Sequence, residues 1–293
     1  MAAPAREIAF VTNPTAGKGK GRRAREAALP VLREAGLLVR DLQGRDAVEA
    51  LDLARAAVSD GVGALVVCGG DGMVHLGAQA VAGTGVPLGI IPAGTGNDVA
   101  RYLDLPRSDA VAAASVVTRG ATRVIDLARC GERYFVTVLA AGFDAVVNER
   151  ANTLTWPKGQ MRYNLATLLE LRTFDPLDYV LQLDGQRRDV DAMLVAVGNG
   201  PSFGGGLRIT EGALIDDGLL DVVVIRPMSK LRLVRTYPKL FKGTHTVIPE
   251  YEHHRVTSVS VDTPGIVAYA DGERIGPLPL VIDAAPGALT VIA

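Results

Sequence analysis

Cysteine is nearly missing from this chain. Its two cysteines, Cys68 and Cys130, sit in apolar, strand-like settings without the spacing of a metal site. That excludes a disulfide framework and points to buried free thiols in a reducing compartment. An excess of charge of either sign is missing too. The 31 Lys and Arg against 32 Asp and Glu leave a net charge of −1, so bulk electrostatics exclude nucleic-acid binding and any basic function is local. No long hydrophobic run is present. The one extended uncharged stretch, 72–97, carries Pro87, Pro92, His75, Gln79 and seven glycines and cannot form a continuous apolar helix. The opening "MAAPAREIAF" lacks the apolar core of a signal peptide, so the expectation is a soluble, cytoplasmic chain. His75, His245, His253 and His254 show no ligand spacing and read as structural or surface residues. Repeats and low-complexity segments are absent as well.

What is present is a chain with 48% hydrophobic and 22% charged residues, enough for a sizeable core. Its first part alternates between short apolar strands and helical stretches. Strands are expected at Ile8–Val11, Leu37–Leu42, 64–68 and 88–91. Helices are expected at Arg22–Ala35, kinked or split by Pro30, then at Asp46–Ser59, 73–82, 97–103 and 108–118. In the Asp46–Ser59 helix, Val48, Leu51, Ala54, Ala57 and Val58 share one side. This β-α-β-α order predicts a parallel, doubly wound sheet whose ligands bind beyond the carboxyl ends of the strands. Near residue 121 the rhythm changes to alternating β-branched and polar residues, with turn signals at "CGER", "LDGQ", "NGPSFGGG", "DDG" and "DGER" and one helical insert at about 158–173. The expected organisation is an α/β domain over 1–122 and a β-rich domain over 123–293.

Three glycine clusters fall at strand ends of the first part. "NPTAGKGKG" (13–21) sets Asn13, glycines and two lysines between a strand and a helix, a phosphate-attracting arrangement that is neither a Walker loop nor a dinucleotide fingerprint. A plain flexible loop is the competing reading. In "CGGDG", Gly69, Gly70 and Gly72 permit close backbone approach to a ligand. Asp71 either stands beside phosphate through Mg²⁺ or water, or N-caps a helix that starts at Met73. In "PAGTGND", the Thr95 hydroxyl can bond a phosphate or sugar, while Asn97 and Asp98 can simply cap the next helix. In the second part, Asp216, Asp217 and Asp221 of "GALIDDGLLD" fit either a hard cation or an acidic turn. "AYADGERIG" reads as a hairpin with an Asp-Gly type I′ turn bearing Glu273. Between Asp221 and Glu250 there is no acid. There Arg232, Arg235, Lys239 and Lys242 run beside Leu231, Val234, Pro238 and Phe241, which suits either a membrane-surface helix or a solvated charged face. Pro238 weakens the continuous-helix reading.

Taken together, "NPTAGKGKG", "GGDGM", "PAGTGND", "NGPSFGGG", "DDGLLDV" and "DGE" resemble, in order and spacing, the motifs of the diacylglycerol kinase catalytic family, which includes bacterial lipid kinases, sphingosine kinases and ceramide kinases. The resemblance covers nearly the whole chain, although the GGDG element alone also admits NAD kinases and phosphofructokinases. It implies a Rossmann-like nucleotide domain of the phosphofructokinase and NAD kinase type, a C-terminal β-sandwich, and an active site in the cleft between them. It implies ATP held by Asn13, Pro14, Thr15, Ala16, Gly17, Gly69, Gly70, Gly72, Thr95, Asn97 and Asp98, with Asp71 in the catalytic phosphate–Mg²⁺ network. By the same resemblance Asp217 and the carbonyls of Leu214 and Leu219 would bind Mg²⁺, and Glu273 would be the general base. The implied reaction is phosphorylation of a lipid hydroxyl, with diacylglycerol the favoured acceptor, at the inner face of a membrane. A homodimer is compatible with it. A soluble-metabolite kinase of the NAD kinase type, a sphingoid or ceramide kinase and a non-catalytic nucleotide or lipid sensor are the alternatives. Three positions depart from the family pattern: Met73 in place of threonine, Leu76 in place of glutamate and Glu211 in place of proline.

Overall fold

The computed structural model describes residues 7–12, 19–143, 147, 150, 153 and 175–293. The loop 13–17 and the expected helix over 158–173 lie outside the described residues. The chain forms two compact units. Unit 1 comprises Met1–Leu127, Ile215–Asp217 and Ala285–Ala293, and unit 2 comprises Ala128–Leu214 and Gly218–Ala284. A single cut after residue 122 therefore does not describe the division.

Unit 1 is built on four parallel strands, β1 (Glu7–Thr12), β2 (Leu38–Gln43), β3 (Ala64–Gly69) and β4 (Leu88–Pro92), in the order β2-β1-β3-β4. Every residue of β3 and β4 is buried, as expected of parallel strands covered on both faces. Helices α1 (Lys20–Glu34) and α5 (Ala110–Arg119) pack against each other, as do α2 (Ala47–Ser59) and α3 (Asp71–Val81). The short α4 (Asp98–Tyr102) follows β4. Since β1 lies between β2 and β3, the strand order reverses there, and the crevice for a ligand falls beyond Thr12 and Gly69.

Three details of unit 1 correct the expectation. Helix α1 runs through Pro30 instead of breaking at it, because Pro30 lies on the exposed side, where water can satisfy the carbonyl it leaves unpaired. Helix α2 is capped by Asp46, which accepts from the Glu49 amide at 2.9 Å, but its buried face is Ala50, Ala54 and Ala57, with Val48 exposed. The chain also returns to unit 1 twice. The Asp126 amide donates to Ile215 O at 2.6 Å, and the Asp126 carboxylate accepts from the Gly287 amide at 2.7 Å. The end of β16 (Leu280–Ile292) then lies parallel to β4, pairing Val291 with Leu88.

Unit 2 is a two-layer β structure. One layer is a six-stranded sheet in the order β12-β11-β10-β7-β14-β15, formed by Tyr251–Val256, Leu220–Ile225, Leu194–Gly198, Val138–Gly142, Val267–Ala270 and Glu273–Pro277. The other contains the start of β16, β13 (Ser258–Asp262), β8 (Leu177–Leu183) and β9 (Gln186–Ala192). The end of β5 (Thr122–Cys130) pairs with β6 (Arg133–Phe135). Leu139, Val197 and Val222 from the first layer meet Tyr179, Leu181 and Val259 from the second in one core. Both cysteines are buried and free, and burial pushes the Cys68 thiol up to about 12, so it is inert at neutral pH. No helix among the described residues is long and apolar enough to cross a membrane.

The β8–β9 turn is Asp184-Gly185, with φ of 47° and 81°. The Asp184 carboxylate grips the adjacent strand, accepting from the Thr257 and Ser258 amides at 3.0 and 2.9 Å and from the Thr257 hydroxyl at 2.8 Å. These donors, the Thr257 hydroxyl first, hold the Asp184 carboxyl below the ordinary carboxylate range. A depressed value means that the ionised group stabilises the fold above that ordinary range, and the contribution is lost as pH falls through the depressed value. Asp184→Ala is therefore expected to lower the urea midpoint at neutral pH, with the gap to wild type narrowing in acid. A gap of constant size across that titration would refute the role given to the charge.

Candidate active site

The turn after β4 is shaped by its own side chains. Asn97 takes a left-handed conformation (φ 52°), which asparagine tolerates, and its amide bonds Gly94 reciprocally: Oδ1 accepts from Gly94 N at 3.0 Å, and Nδ2 donates to Gly94 O at 3.1 Å. Arg101 closes the other side, donating to Gly96 O at 2.9 Å and pairing with the buried Asp98. Thr95 is left exposed at the tip.

The neighbouring "GGDG" turn holds this one in place. Asp71 accepts from the Asn97 amide at 2.8 Å and from the Asp98 amide at 2.7 Å, one to each carboxylate oxygen. The capping expectation is thus corrected. Helix α3 begins at Asp71 itself, Gly70 is the N-cap residue, and the Asp71 side chain reaches across to the next loop. Neither Asn97 nor Asp98 caps α4 through its side chain. The glycines answer to the same contact: a Cβ on Gly94 would lie 2.5 Å from Gly70 Cα. Their smallness is needed for one turn to lie on the other.

Beside this pair of turns, a cleft of about 1060 Å³ opens, lined by Lys20, Arg23, Thr95, Asn97, Arg107 and Ser108 among others. Three cations around an exposed hydroxyl and a glycine turn favour an anionic, phosphate-bearing ligand. Apolar groups, including Ala24, Ala27, Leu105 and Val111, supply a surface for a flat ring. Asp109, also on the lining, is occupied as the α5 cap, accepting from the Val111 and Ala112 amides at 3.0 Å each. Lys20 was visible in the lysine-glycine run, and Arg23 is the second residue after that run. Arg107 carried no sequence signal, because only the fold brings the start of α5 beside α1.

Among the named candidates, the structure therefore brings Gly69, Gly70, Asp71 and Gly72 together with Thr95, Asn97 and Asp98. Asn13, Pro14, Thr15, Ala16 and Gly17 lie outside the described residues. The acids of "GALIDDGLLD" have separate tasks. Asp216 pairs with Arg123 at 2.6 Å, Asp221 is buried against His253 at 2.6 Å, and Asp217 is half-buried. Leu214 is exposed and Leu219 half-buried. No three His, Cys, Asp or Glu gather as metal donors among the described residues. That donor set still fits Mg²⁺ carried by a nucleotide, which keeps several waters and takes one or two carboxylates plus phosphate oxygens.

In unit 2, Glu273 is exposed at the start of β15, directly after the Asp271-Gly272 turn (φ 53° and 85°), as the type I′ reading expects. Asp271 grips the bend between β6 and β7, accepting from Val136 N at 2.9 Å, Thr137 N at 2.8 Å and Thr137 Oγ1 at 2.6 Å. Asp271, two residues before Glu273, thus ties this turn to the bend at Val136 and Thr137, a contact that sequence reasoning missed.

Asp71→Ala removes the acceptor from two buried amides. At about 1–3 kcal/mol for each unsatisfied group, a loss of roughly 2–6 kcal/mol in urea unfolding is expected, with a smaller loss for Asp71→Asn. Gly94→Ala, which presses a methyl onto backbone, is expected to cost about 1–3 kcal/mol or more. Wild-type stability in either alanine variant would contradict the loop-on-loop contact.

Comparison with known proteins places this geometry. Residues 7–130 match the model described as the diacylglycerol kinase catalytic domain. Residues 137–293 match the YegS C-terminal NAD kinase beta sandwich-like domain. A protein of Mycobacterium tuberculosis named diacylglycerol kinase is 44% identical over 98% of this chain and 94% of its own length. One of that name from Bacillus subtilis is 25% identical over 92% and 90% of the two chains. A crystal structure titled as a diacylglycerol kinase from Bacillus anthracis superposes with a TM-score of 0.79 at 25% identity, covering 99% of this chain and 98% of that one. The matches extend over both units, and the chain belongs to the diacylglycerol kinase catalytic family, with a YegS-type C-terminal domain.

Proposed function

We propose that this member of the family transfers the γ-phosphoryl group of ATP to the free hydroxyl of diacylglycerol, giving phosphatidic acid and ADP. The observation that carries the reading is the 44% identity that runs through both units to a protein named diacylglycerol kinase. The cleft of unit 1 supports the nucleotide half. Lys20, Arg23 and Arg107 attract the triphosphate, the Thr95 hydroxyl and the amides of its turn bond the phosphates, and the apolar patch of Ala24, Ala27 and Leu105 receives the base.

A lipid hydroxyl is a poor nucleophile. In the proposed step the Glu273 carboxylate takes its proton as the hydroxyl oxygen bonds the γ-phosphorus. The bond from that phosphorus to the β–γ bridging oxygen breaks, and ADP departs with the bond's electrons. Mg²⁺, with Asp217 as its protein carboxylate, would neutralise charge on the phosphates. Asp71 acts through the turn it holds, fixing the position of Thr95, and Asp271 acts through the turn that presents Glu273. Most of the acceleration in such a transfer comes from position and charge complementarity, which fixed turns supply.

The test is transfer of labelled γ-phosphate with Mg²⁺ to a panel of diacylglycerol, ceramide, sphingosine, monoacylglycerol and NAD. Labelled phosphatidic acid is expected. Glu273→Gln should lower kcat by about 10²–10⁴-fold while ATP still binds. Asp271→Ala should lower kcat with little change in the KM for ATP. Label in NADP or in a sphingoid phosphate, with none in phosphatidic acid, would replace the proposed acceptor. Full activity of Glu273→Gln would remove the base assignment.

A further inference from the structure

Helix α6 (Lys230–Leu240), capped by Ser229, lies between β11 and β12 in unit 2 and contains Pro238 without ending there. It has more apolar surface than its fold requires. One side is already packed: Leu233 and Leu240 lie against the core of Val223, Ile225 and Ile209, and Thr236 is buried. A second apolar row points outward. Leu231, Val234 and Phe241 are 61%, 50% and 45% exposed, and Tyr237 meets Phe241 edge-on with ring centroids 5.7 Å apart. At 100° per residue this row covers a continuous arc distinct from the packed side.

The basic residues flank that arc. Arg235, Lys239 and Lys242 are exposed, and none has an ion-pair partner among the described residues. Arg232 differs from them, since it is held by Glu250 at 2.8 Å, so the charge available to a partner comes from the other three. No acid occurs in the sequence over 222–249. Of the carboxylates that approach the segment, Glu250 is paired with Arg232, and Glu211, beside Gly243, is paired with Arg208.

We propose that this outward face of α6 is the docking surface of the protein for an anionic lipid bilayer. Leu231, Val234 and Phe241 enter the headgroup boundary, and Arg235, Lys239 and Lys242 lie at the level of the lipid phosphates. An apolar row beside a basic row matches a surface whose interior is hydrocarbon and whose rim is negative. A second copy of this chain is a poorer match, because it would set like charges against one another. The inference deepens the lipid-kinase reading by naming how the enzyme reaches an acceptor held in a membrane, but its test needs no catalysis.

The experiment is co-sedimentation of the full chain with vesicles of phosphatidylcholine alone or with added phosphatidylglycerol, from about 0.1 M to about 1 M salt. Binding is expected on the anionic vesicles and should fall as salt rises. The triple variant Arg235→Glu, Lys239→Glu, Lys242→Glu should lose roughly a hundredfold in affinity, about fivefold for each cation removed and more for the reversal. Leu231→Ser, Val234→Ser, Phe241→Ser should lose binding as well, with unchanged thermal unfolding in both variants. Wild-type binding by either folded variant, or no binding by wild type, would overturn the proposal. So would a dimer in ultracentrifugation that the serine variant dissolves while vesicle binding is untouched. Phosphorylation of a short-chain, water-soluble diacylglycerol separates the two readings: variants active on it and inactive on vesicles locate the defect in docking, whereas an inactive wild type counts against the kinase reading alone.

Discussion

A carboxylate that accepts consecutive backbone N–H groups from a neighbouring segment is the interaction on which this architecture turns. Asp71 takes the amides of Asn97 and Asp98, Asp271 those of Val136 and Thr137, and Asp184 those of Thr257 and Ser258. Amides at the end of a strand or the start of a short helix have no partner within their own element and are costly to bury unpaired. A charged acceptor with two oxygens satisfies two at once and fixes the spacing of the two segments. In Asp271 and Asp184 the device is the same down to the backbone: a left-handed Asp before a left-handed Gly makes a hairpin turn and aims its own side chain at the bend that leads into a neighbouring strand.

This changes what the signature motifs do. In "GGDG" and "PAGTGND" the glycines and acids look outward in the sequence, toward a ligand. In the structure, Gly70 and Gly94 answer to each other, and Asp71 is spent on amides. What the pair of turns presents at its tip is the exposed Thr95, whose neighbours Gly94, Gly96 and Asp98 are held by Asn97, Arg101 and Asp71. A group fixed before the ligand arrives needs no reorganisation when charge develops near it, so in the proposed reaction the clamp would itself contribute to the chemistry.

The fold was largely legible in the sequence. The strands of unit 1 are short apolar runs between helical periods, and the change of rhythm near residue 121 marks the strand-rich unit 2. Local patterns carry those signals, and local patterns are what a single sequence holds. The return of Ala285–Ala293 to unit 1 was hidden, because parallel pairing with β4 depends on a register set across more than two hundred residues. For the site, residue types at the turns were readable, while the amides they serve were not. An Asp before Gly looks the same whether it caps its own helix, binds a cation or clamps a distant loop. Arg107 was missed for a similar reason: a lone arginine in a loop gains meaning only from the lysine and arginine the fold places near it.

The three departures from the family pattern can be judged on the same footing. Met73 and Leu76 both lie on the buried side of α3, and the Met73 side chain fills the space that a Cβ on Gly69 would need. A long, flexible side chain there packs the turn from beneath, which a shorter threonine would do less fully. Glu211 pairs with Arg208 at 2.5 Å, within unit 2, and so belongs to the local stability of that loop. The bonds from Asp71 to Asn97 and Asp98, and the exposed Thr95 that they position, are intact beside these substitutions. Met73 and Leu76 therefore leave what the turns present unchanged, and Glu211 lies apart from them, which favours the proposed kinase over a sensor that has lost its chemistry.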